Sequence, residues 1–444
     1  MNGRYYCGMH TAIVRTVSAA VVAASALVSA QSQASLAPPE RAIVQYVDAH
    51  TSDAIALLER AVNVNSGTQN FAGVREVGRI FAAEFDALGF TTRWIDGAPF
   101  KRAGHLIADH PGPGKRVLLI GHLDTVFEPD SPFQRFQRID ERRAKGPGVI
   151  DMKGGVVIMV TALKALQAAG ALKSMNVVVV LTGDEESAGD PQDAARAALV
   201  EAARGAAVAM GFEDGAGDPK TAVIGRRGTT AWTLTVKGTP AHSSQIFRPD
   251  IGYGAIFEAA RILNAFRETL AGEPHLTFNP ALALGGTQVQ VDTVQARGTA
   301  FGKDNVIPEH AVISGDLRAL SKEQFARARE RMSAIVAAGT LAGTKAEIAF
   351  DEGYPPLAPT DGNRALLAMY DQASRDVGAG PVAAVDPDRA GAADVSFIAG
   401  HVPMILDGIG QMGDGGHTVN ETADLATLPS QTKRAALVLY RLRQ

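Results

Sequence analysis

The sequence predicts an α/β fold: a mixed, largely parallel sheet flanked by helices, with a smaller α+β unit inserted into it. Three observations carry this. Two apolar runs of strand length, Val117-Leu118-Leu119-Ile120 and residues 176–181, have no polar alternation, as in strands covered on both faces. Segments of helical periodicity alternate with them, the signature of parallel βαβ units. After Gly225 the pattern changes to half-exposed strands and charged helices in the order βαββαβ, the split-βαβ unit.

Taken in order, residues 42–62 repeat apolar side chains (Ile43, Tyr46, Val47, Ile55, Leu58) at helical spacing, and 72–88 do so again. Strands are expected at 91–94, 105–108 and 116–121, a helix at 153–169 and a strand at 176–181. Ala207-Val208-Ala209-Met210 is a further short strand. In the inserted unit the expectations are strands at 229–237, 283–291, 311–320 and 346–351, with helices at 252–270 and 322–338. Signals of the first type resume from Arg364.

A chain of 444 residues exceeds one ordinary core, so two domains are expected. With 46% hydrophobic and 20% charged residues it has the composition of a globular protein. A net charge of -4 and the lack of a long basic run argue against a nucleic-acid partner. Arg4 and Arg15 precede an apolar run at 17–30 that ends in small residues, which reads as a secretory signal peptide cut after Ala30 or Ala34. The run is shorter than the about 20 residues a membrane span needs, so no stable anchor is expected after processing. Removing Arg4 and Arg15 leaves 41 basic residues of 43 against 47 acidic ones, a net -6. Cys7, the single cysteine, would be lost with the leader, which excludes disulfides and cysteine-bound metal. The expectation is a periplasmic or secreted protein.

Five side chains then stand in settings that suit a metal: His122 in GHLDTVF, Asp151 in GPGVIDMKGG, Glu186 in LTGDEESAG, Glu213 in MGFEDG and His417 in GDGGHTVNE. One four-coordinate zinc takes fewer protein ligands than this. A pair of ions sharing a carboxylate accounts for all five, and three carboxylates with one hydroxide balance two Zn²⁺. The same N/O ligands accept Co²⁺ or Mn²⁺. Asp124, two residues after His122, points to the same face and can accept its second ring N–H; a loop histidine with a capping aspartate fits the motif as well. Asp151, between a glycine turn and a helix start, suits the bridging role, although an isolated aspartate there also reads as a helix N-cap. Adjacent Glu185 and Glu186 repel unless a cation separates them. One would ligate and the other, Glu185, would take a proton from water. Glu213 competes with Asp214. The chain reads as a two-metal hydrolase.

These motifs, in this order, resemble the zinc metallopeptidase family of glutamate carboxypeptidase, aminoacylase and acetylornithine deacetylase. The resemblance implies a di-zinc exopeptidase fold with a ferredoxin-like lid and dimerisation domain at 228–343, inserted between catalytic halves at 36–227 and 344–444. It implies His122 and Glu213 on one zinc, Glu186 and His417 on the other, Asp151 bridging them, Asp124 supporting His122, Glu185 as general base, and a cis peptide between Asp151 and Met152. His242 in GTPAHSS would face the tetrahedral oxyanion, often that of a partner subunit in a homodimer. Asn305 and Arg318 would bind substrate, Arg318 clamping its C-terminal carboxylate, with an edge-strand salt bridge as the other reading of Arg318. Arg389 and Gly391 fall near a glycine-rich substrate loop. The implied substrate is a peptide or N-acyl amino acid, cleaved by a carboxypeptidase, with an N-acyl amino acid deacylase, an aminopeptidase and a non-catalytic binding relative as alternatives. Glutamate-specific members are expected to carry an arginine where this chain has Tyr354, which implies a broader or more apolar C-terminal residue unless Arg226 or Arg227 substitutes.

Overall fold

The computed structural model describes residues 36–292 and 297–443. The expected leader and Cys7 lie outside the described residues. Among those described, no helix is long and apolar enough to cross a membrane. The chain forms two compact units. The first comprises residues up to Ile224 with Thr360–Val385 and the segment from Gly400; the second comprises Gly225–Pro359 and Asp386–Ala399.

In the first unit, α1 (Pro38–Ala49), α2 (Thr51–Val62) and α3 (Phe71–Ala87) lead into β1 (Thr91–Asp96), β2 (Gly104–His110) and β3 (Arg116–His122). Then come α4 (Lys153–Ala168), β4 (Asn176–Thr182), α5 (Gln192–Ala203) and β5 (Val208–Gly211). The single helix expected over 42–62 is two. His50 leaves helical geometry (φ -115°, ψ 18°), its ring stacks on Tyr46 at 3.9 Å, and the Thr51 hydroxyl donates to the Val47 carbonyl. The second helix starts at Thr51 with Asp53 in its first turn. The polar, alanine-rich α5 had no counterpart in the sequence reading.

The sheet runs β1-β2-β4-β3-β5, with a short sixth strand at Ile405–Leu406 beside β5. β3 pairs in parallel with both β4 and β5, while β1 and β2 join antiparallel at one edge. α4 explains the apolar run that follows Asp151. Val156 to Val160, Ala162, Leu163, Ala165 and Leu166 are all fully buried, so this helix is covered nearly all round and forms the centre of the core. Gly155 permits its close approach to the sheet: a Cβ there would lie 1.9 Å from the Phe212 carbonyl oxygen. That contact brings the start of α4 against the end of β5.

The second unit contains β6 (Gly228–Gly238), α6 (Gly254–Leu270), β7 (Thr277–Gly286), β8 (Gln288–Asp292), β9 (Arg297–Phe301), β10 (His310–Ala319), α7 (Lys322–Ala337) and β11 (Thr344–Phe350). Its four-stranded sheet has the order β7-β10-β6-β11, every pair antiparallel. This is the split-βαβ order that the βαββαβ pattern predicts. Trp232, Leu234, Ile313 and Leu317 of the sheet form a separate core with Ile262, Phe266 and Met332 of the helices. The strand expected at 283–291 breaks after Gly286, where a Cβ would meet the Phe301 carbonyl at 2.4 Å, and β8 turns away to pair with β9. The boundary expected at 343 moves to Pro359, because β11 pairs with β6 from Thr344 to Phe350 and belongs to this sheet. Residues 386–399, expected in the other domain, also join the second unit.

Candidate active site

Three neighbouring parallel strands deliver side chains to one edge of the first unit's sheet. β3 ends at His122, which stands opposite Thr182 at the end of β4; Ile120 stands opposite Gly211 at the end of β5. The turns after β4 and β5 carry Glu185-Glu186 and Glu213. Strand C-termini of α/β sheets are where ligands bind.

Asp151 occupies the middle. Its Oδ1 lies 3.0 Å from His122 Nε2, and its Oδ2 lies 2.8 Å from His417 Nε2. Glu213 Oε1 is 3.5 Å from His122 Nε2, and Glu186 Oε2 is 3.2 Å from His417 Nε2. The five residues therefore form two pairs of an imidazole and a glutamate, each facing one oxygen of the same aspartate. Glu213, not Asp214, faces His122; the Asp214 carbonyl accepts from Gly217 in the following turn. Asp151 does not cap α4, whose N-cap is Met152. The Asp151–Met152 peptide is cis.

Asp124 is fully buried beneath this cluster. His122 Nδ1 lies 3.1 Å from the Asp124 carbonyl oxygen and 3.4 Å from Oδ1, so the carbonyl is the nearer acceptor. Either way the ring proton sits on Nδ1, which frees Nε2 to ligate. The Asp124 carboxylate also accepts the N–H groups of Glu185 (3.1 Å) and Glu186 (3.2 Å) and the Thr68 hydroxyl (2.7 Å). One residue, through its carbonyl and its carboxylate, thus positions the imidazole and the glutamate pair together. The same turn is held from below by a buried ion pair, Arg196 to Asp184 at 2.6 Å. Sequence reasoning missed Thr68, Arg196 and Glu421, which is fully buried behind Asp151. Thr68 stands far from every motif, and only Glu421 lay inside a quoted one.

The chemistry of this donor set fits divalent cations. Burial and Asp151 push Glu186 up to about 7. Burial, with Asp151 beside it, holds Glu213 well above the carboxylate range, and Glu185 adds to the repulsion. His417 is raised to about 11 by Asp151 and Glu186. Burial opposes a charge on His122, but Glu213, Asp124 and Asp151 together raise it well above the usual imidazole value. Burial likewise opposes the Asp151 anion, yet the two imidazoles lower it. Such a cluster needs positive charge, which protons or metal can supply. Glu186 Oε1 is buried with no hydrogen-bond partner, as an oxygen reserved for a cation would be. Two ligands of one tetrahedral zinc stand about 3.3–3.6 Å apart, close to the separations within each pair. His122, Asp151 and Glu186 have ligand atoms within 4.8 Å of one another.

The other anticipated residues lie in the second unit. Ser244 N–H donates to His242 Nδ1 at 3.2 Å, which puts the ring proton on Nε2. Ser243 N–H donates to the Asn305 carbonyl at 2.9 Å, so His242 and Asn305 occupy adjoining segments. Arg318 pairs with Asp316 at 2.8 Å. β10 lies between β7 and β6, so this is not an edge-strand contact. Arg389 and Gly391 are exposed, and nothing lies within 4 Å of a Cβ built at Gly391, so packing does not demand glycine there. Arg226 donates to the Gly391 carbonyl (2.7 Å), and Arg227 donates to the Asp388 carbonyl (3.2 Å). Both arginines are buried and engaged in holding this loop. Tyr354 packs edge-on against Phe397, ring centroids 4.9 Å apart.

The chain is similar to several known proteins. Over 439 residues the chain is 25% identical to carboxypeptidase G2 of Pseudomonas sp. (strain RS-16), covering 97% of each chain. It is 27% identical over 328 residues to succinyl-diaminopimelate desuccinylase of Delftia acidovorans, covering 70% of this chain and 79% of that one. Its fold matches aminopeptidase PepT of Bacillus cereus with a TM-score of 0.70 at 19% identity, covering 89% of this chain and 99% of that one. It also matches the M20 family metallo-carboxypeptidase Sso-CP2 of Sulfolobus solfataricus, with a TM-score of 0.62 at 16% identity over 88% and 99% of the two chains. The pattern of peptidase family M20/M25/M40 spans residues 118–441, from β3 through His417 into the helix Thr427–Leu442, and the chain therefore belongs to that family of metal-dependent hydrolases.

Proposed function

We propose that this protein is an exported di-zinc exopeptidase that hydrolyses the amide bond to a C-terminal amino acid in N-acyl or short peptide substrates. The observation that carries the reading is Asp151, whose two oxygens face two separate imidazole–glutamate pairs. His122 and Glu213 would hold one ion, His417 and Glu186 the other, with Asp151 shared. A bound pair of divalent cations supplies Lewis acidity toward the amide carbonyl and lowers the pKa of the attacking water. Glu185, anchored through its N–H to Asp124, takes the proton from that water and hands it to the leaving amine. His242, with its proton on Nε2, is a donor suited to a developing oxyanion. Arg318 and Asn305 are the groups for the substrate carboxylate, Arg318 exchanging its bond to Asp316 for one to substrate. The exposed Phe247, Ile256 and Phe257 of the second unit supply apolar surface for a homodimer.

A deacylase acting on N-acyl amino acids is the second reading, supported by the desuccinylase relatives. Tyr354, where a glutamate-specific enzyme is expected to carry arginine, supports a broader or more apolar leaving residue. The deciding assay measures zinc per chain and profiles amino acids released from N-blocked dipeptides, N-acetyl and N-succinyl amino acids. Two zinc ions per chain and release from blocked dipeptides, abolished by a chelator, are expected. Preferential cleavage of the small acyl groups selects the deacylase, and hydrolysis indifferent to chelation refutes both.

A further inference from the structure

Glu421 has no exposed surface, yet it carries a carboxyl group that touches no side-chain donor among the described hydrogen bonds. Its partners are backbone. Oε1 accepts the N–H groups of Ile150 (2.9 Å) and Asp151 (3.2 Å), and Oε2 accepts that of Gly148 (3.2 Å). The Glu421 carbonyl accepts the Gly146 N–H at 3.4 Å. Four N–H groups of the segment that ends at Asp151 therefore terminate on one residue.

The other side of Glu421 belongs to His417. The Glu421 N–H donates to the Thr418 carbonyl at 3.0 Å, and the Thr418 N–H and hydroxyl both donate to the Gly415 carbonyl. This closes a turn in which His417 adopts φ 62°, a left-handed conformation that is uncommon outside glycine. Thr422, the next residue, pairs with Lys145 in a short antiparallel ladder. Just where that ladder ends, the Glu421 side chain replaces it and continues the attachment up to Asp151. The two loops that approach each other at Asp151 Oδ2 and His417 Nε2 are thus joined through this carboxylate. Sequence separation between them is large, and local turn chemistry alone sets neither position.

We propose that Glu421 is a positioning residue that fixes Asp151 relative to His417 and thereby sets the affinity of the site for its metal pair. The proposal rests on the reading that those two side chains ligate metal. Glu421→Gln keeps the volume and one carbonyl oxygen for Ile150 and Asp151, but turns an amide donor toward the Gly148 N–H. Glu421→Ala removes all three acceptor contacts.

The test titrates zinc into the apo full-length chain and each variant against a chromogenic chelator, and records the Co²⁺ d–d absorption and thermal melt of each. Zinc affinity is expected to fall about 10- to 100-fold in the Gln variant and further in the Ala variant, with an altered Co²⁺ spectrum. If Ala does not fold, the Gln variant decides alone. Wild-type affinity and spectrum in a folded Gln variant, even with a lower melting temperature, would mean that Glu421 serves only the fold and would overturn the proposal. A wild-type chain that takes up no metal overturns the reading of the site itself, and the inference with it.

Discussion

Asp124 shows how much of the geometry of a candidate metal site is set by a residue outside the five candidate ligands. Its burial opposes ionisation, but His122, Thr68 and the Glu185 N–H hold its carboxyl below the ordinary value. It is therefore an anion that orients His122 and two successive backbone amides. Asp124→Asn replaces one acceptor oxygen with a donor aimed at an N–H or at the imidazole, and zinc affinity is expected to drop about 10- to 100-fold. Thr68→Val, which removes one hydroxyl contact, is expected to do less; equal losses in the two variants, read by the same zinc titration, would contradict this ranking. Glu185 makes a different prediction. Glu185→Gln should keep the metal content of the wild type while turnover falls by about 10² to 10⁴, or about 3–5 kcal/mol of barrier. Substantial turnover in a metal-loaded Glu185→Gln enzyme would remove it from the role of base.

At the scale of elements, the strands set where the candidate ligands emerge and the surrounding helices keep them there. The turn after β4 is tied to α5 through Arg196 and Asp184, both fully buried and 2.6 Å apart. Arg196→Met leaves a buried carboxylate uncompensated, a loss of about 3–5 kcal/mol, visible as a lower denaturant midpoint; an unchanged midpoint would show that the turn holds without the pair. On the other side of the core, Glu84 of α3 bridges Arg60 of α2 and Lys164 of α4, each at 2.6 Å. Burial would raise Glu84, but the two cations hold it below 4.5. A carboxylate depressed on folding contributes stability that is present above its unfolded value and lost as pH falls through its folded one. Glu84→Gln should therefore cost up to about 1 kcal/mol near pH 7 and flatten the loss of stability below about pH 4.5. Melting curves taken from pH 7 to 3 measure both effects, and parallel curves for the two proteins would exclude this linkage.

For the whole molecule, the separation into two cores has a consequence that a chelator can reveal. All five candidate ligands belong to the first unit, and the second has its own core around Trp232 and Phe266. Binding that favours the native state stabilises it by an amount set by ligand concentration over Kd, about 2.7 kcal/mol at a hundredfold excess. Hydrogen exchange with and without chelator should then change in the segments 146–151, 183–190 and 415–421. The amides of β6, β7, β10 and β11 should exchange at unaltered rates. Uniform deprotection of both sheets would mean that metal stabilises the chain globally.

The alternation of apolar strands with helices, the βαββαβ order and the five candidate ligands were all legible in the chain, because periodicity and local turn chemistry are short-range properties. Polarity also marked the adjacent Glu185 and Glu186, since like charges side by side ask for a cation. The break at His50, the hairpin after Gly286 and the extension of the second unit to Pro359 were not legible. Each depends on which backbone packs or pairs with a distant one. Arg226 and Arg227, offered in the sequence as substitutes for the arginine absent at Tyr354, donate to the loop at 386–391. Thr68, Arg196 and Glu421 carried no local signal of their role for the same reason. A sequence declares which side chains can bind a metal, but the distances among Asp151, His122 and His417 come from contacts 29 and 266 positions apart, and those exist only once the chain has closed on itself.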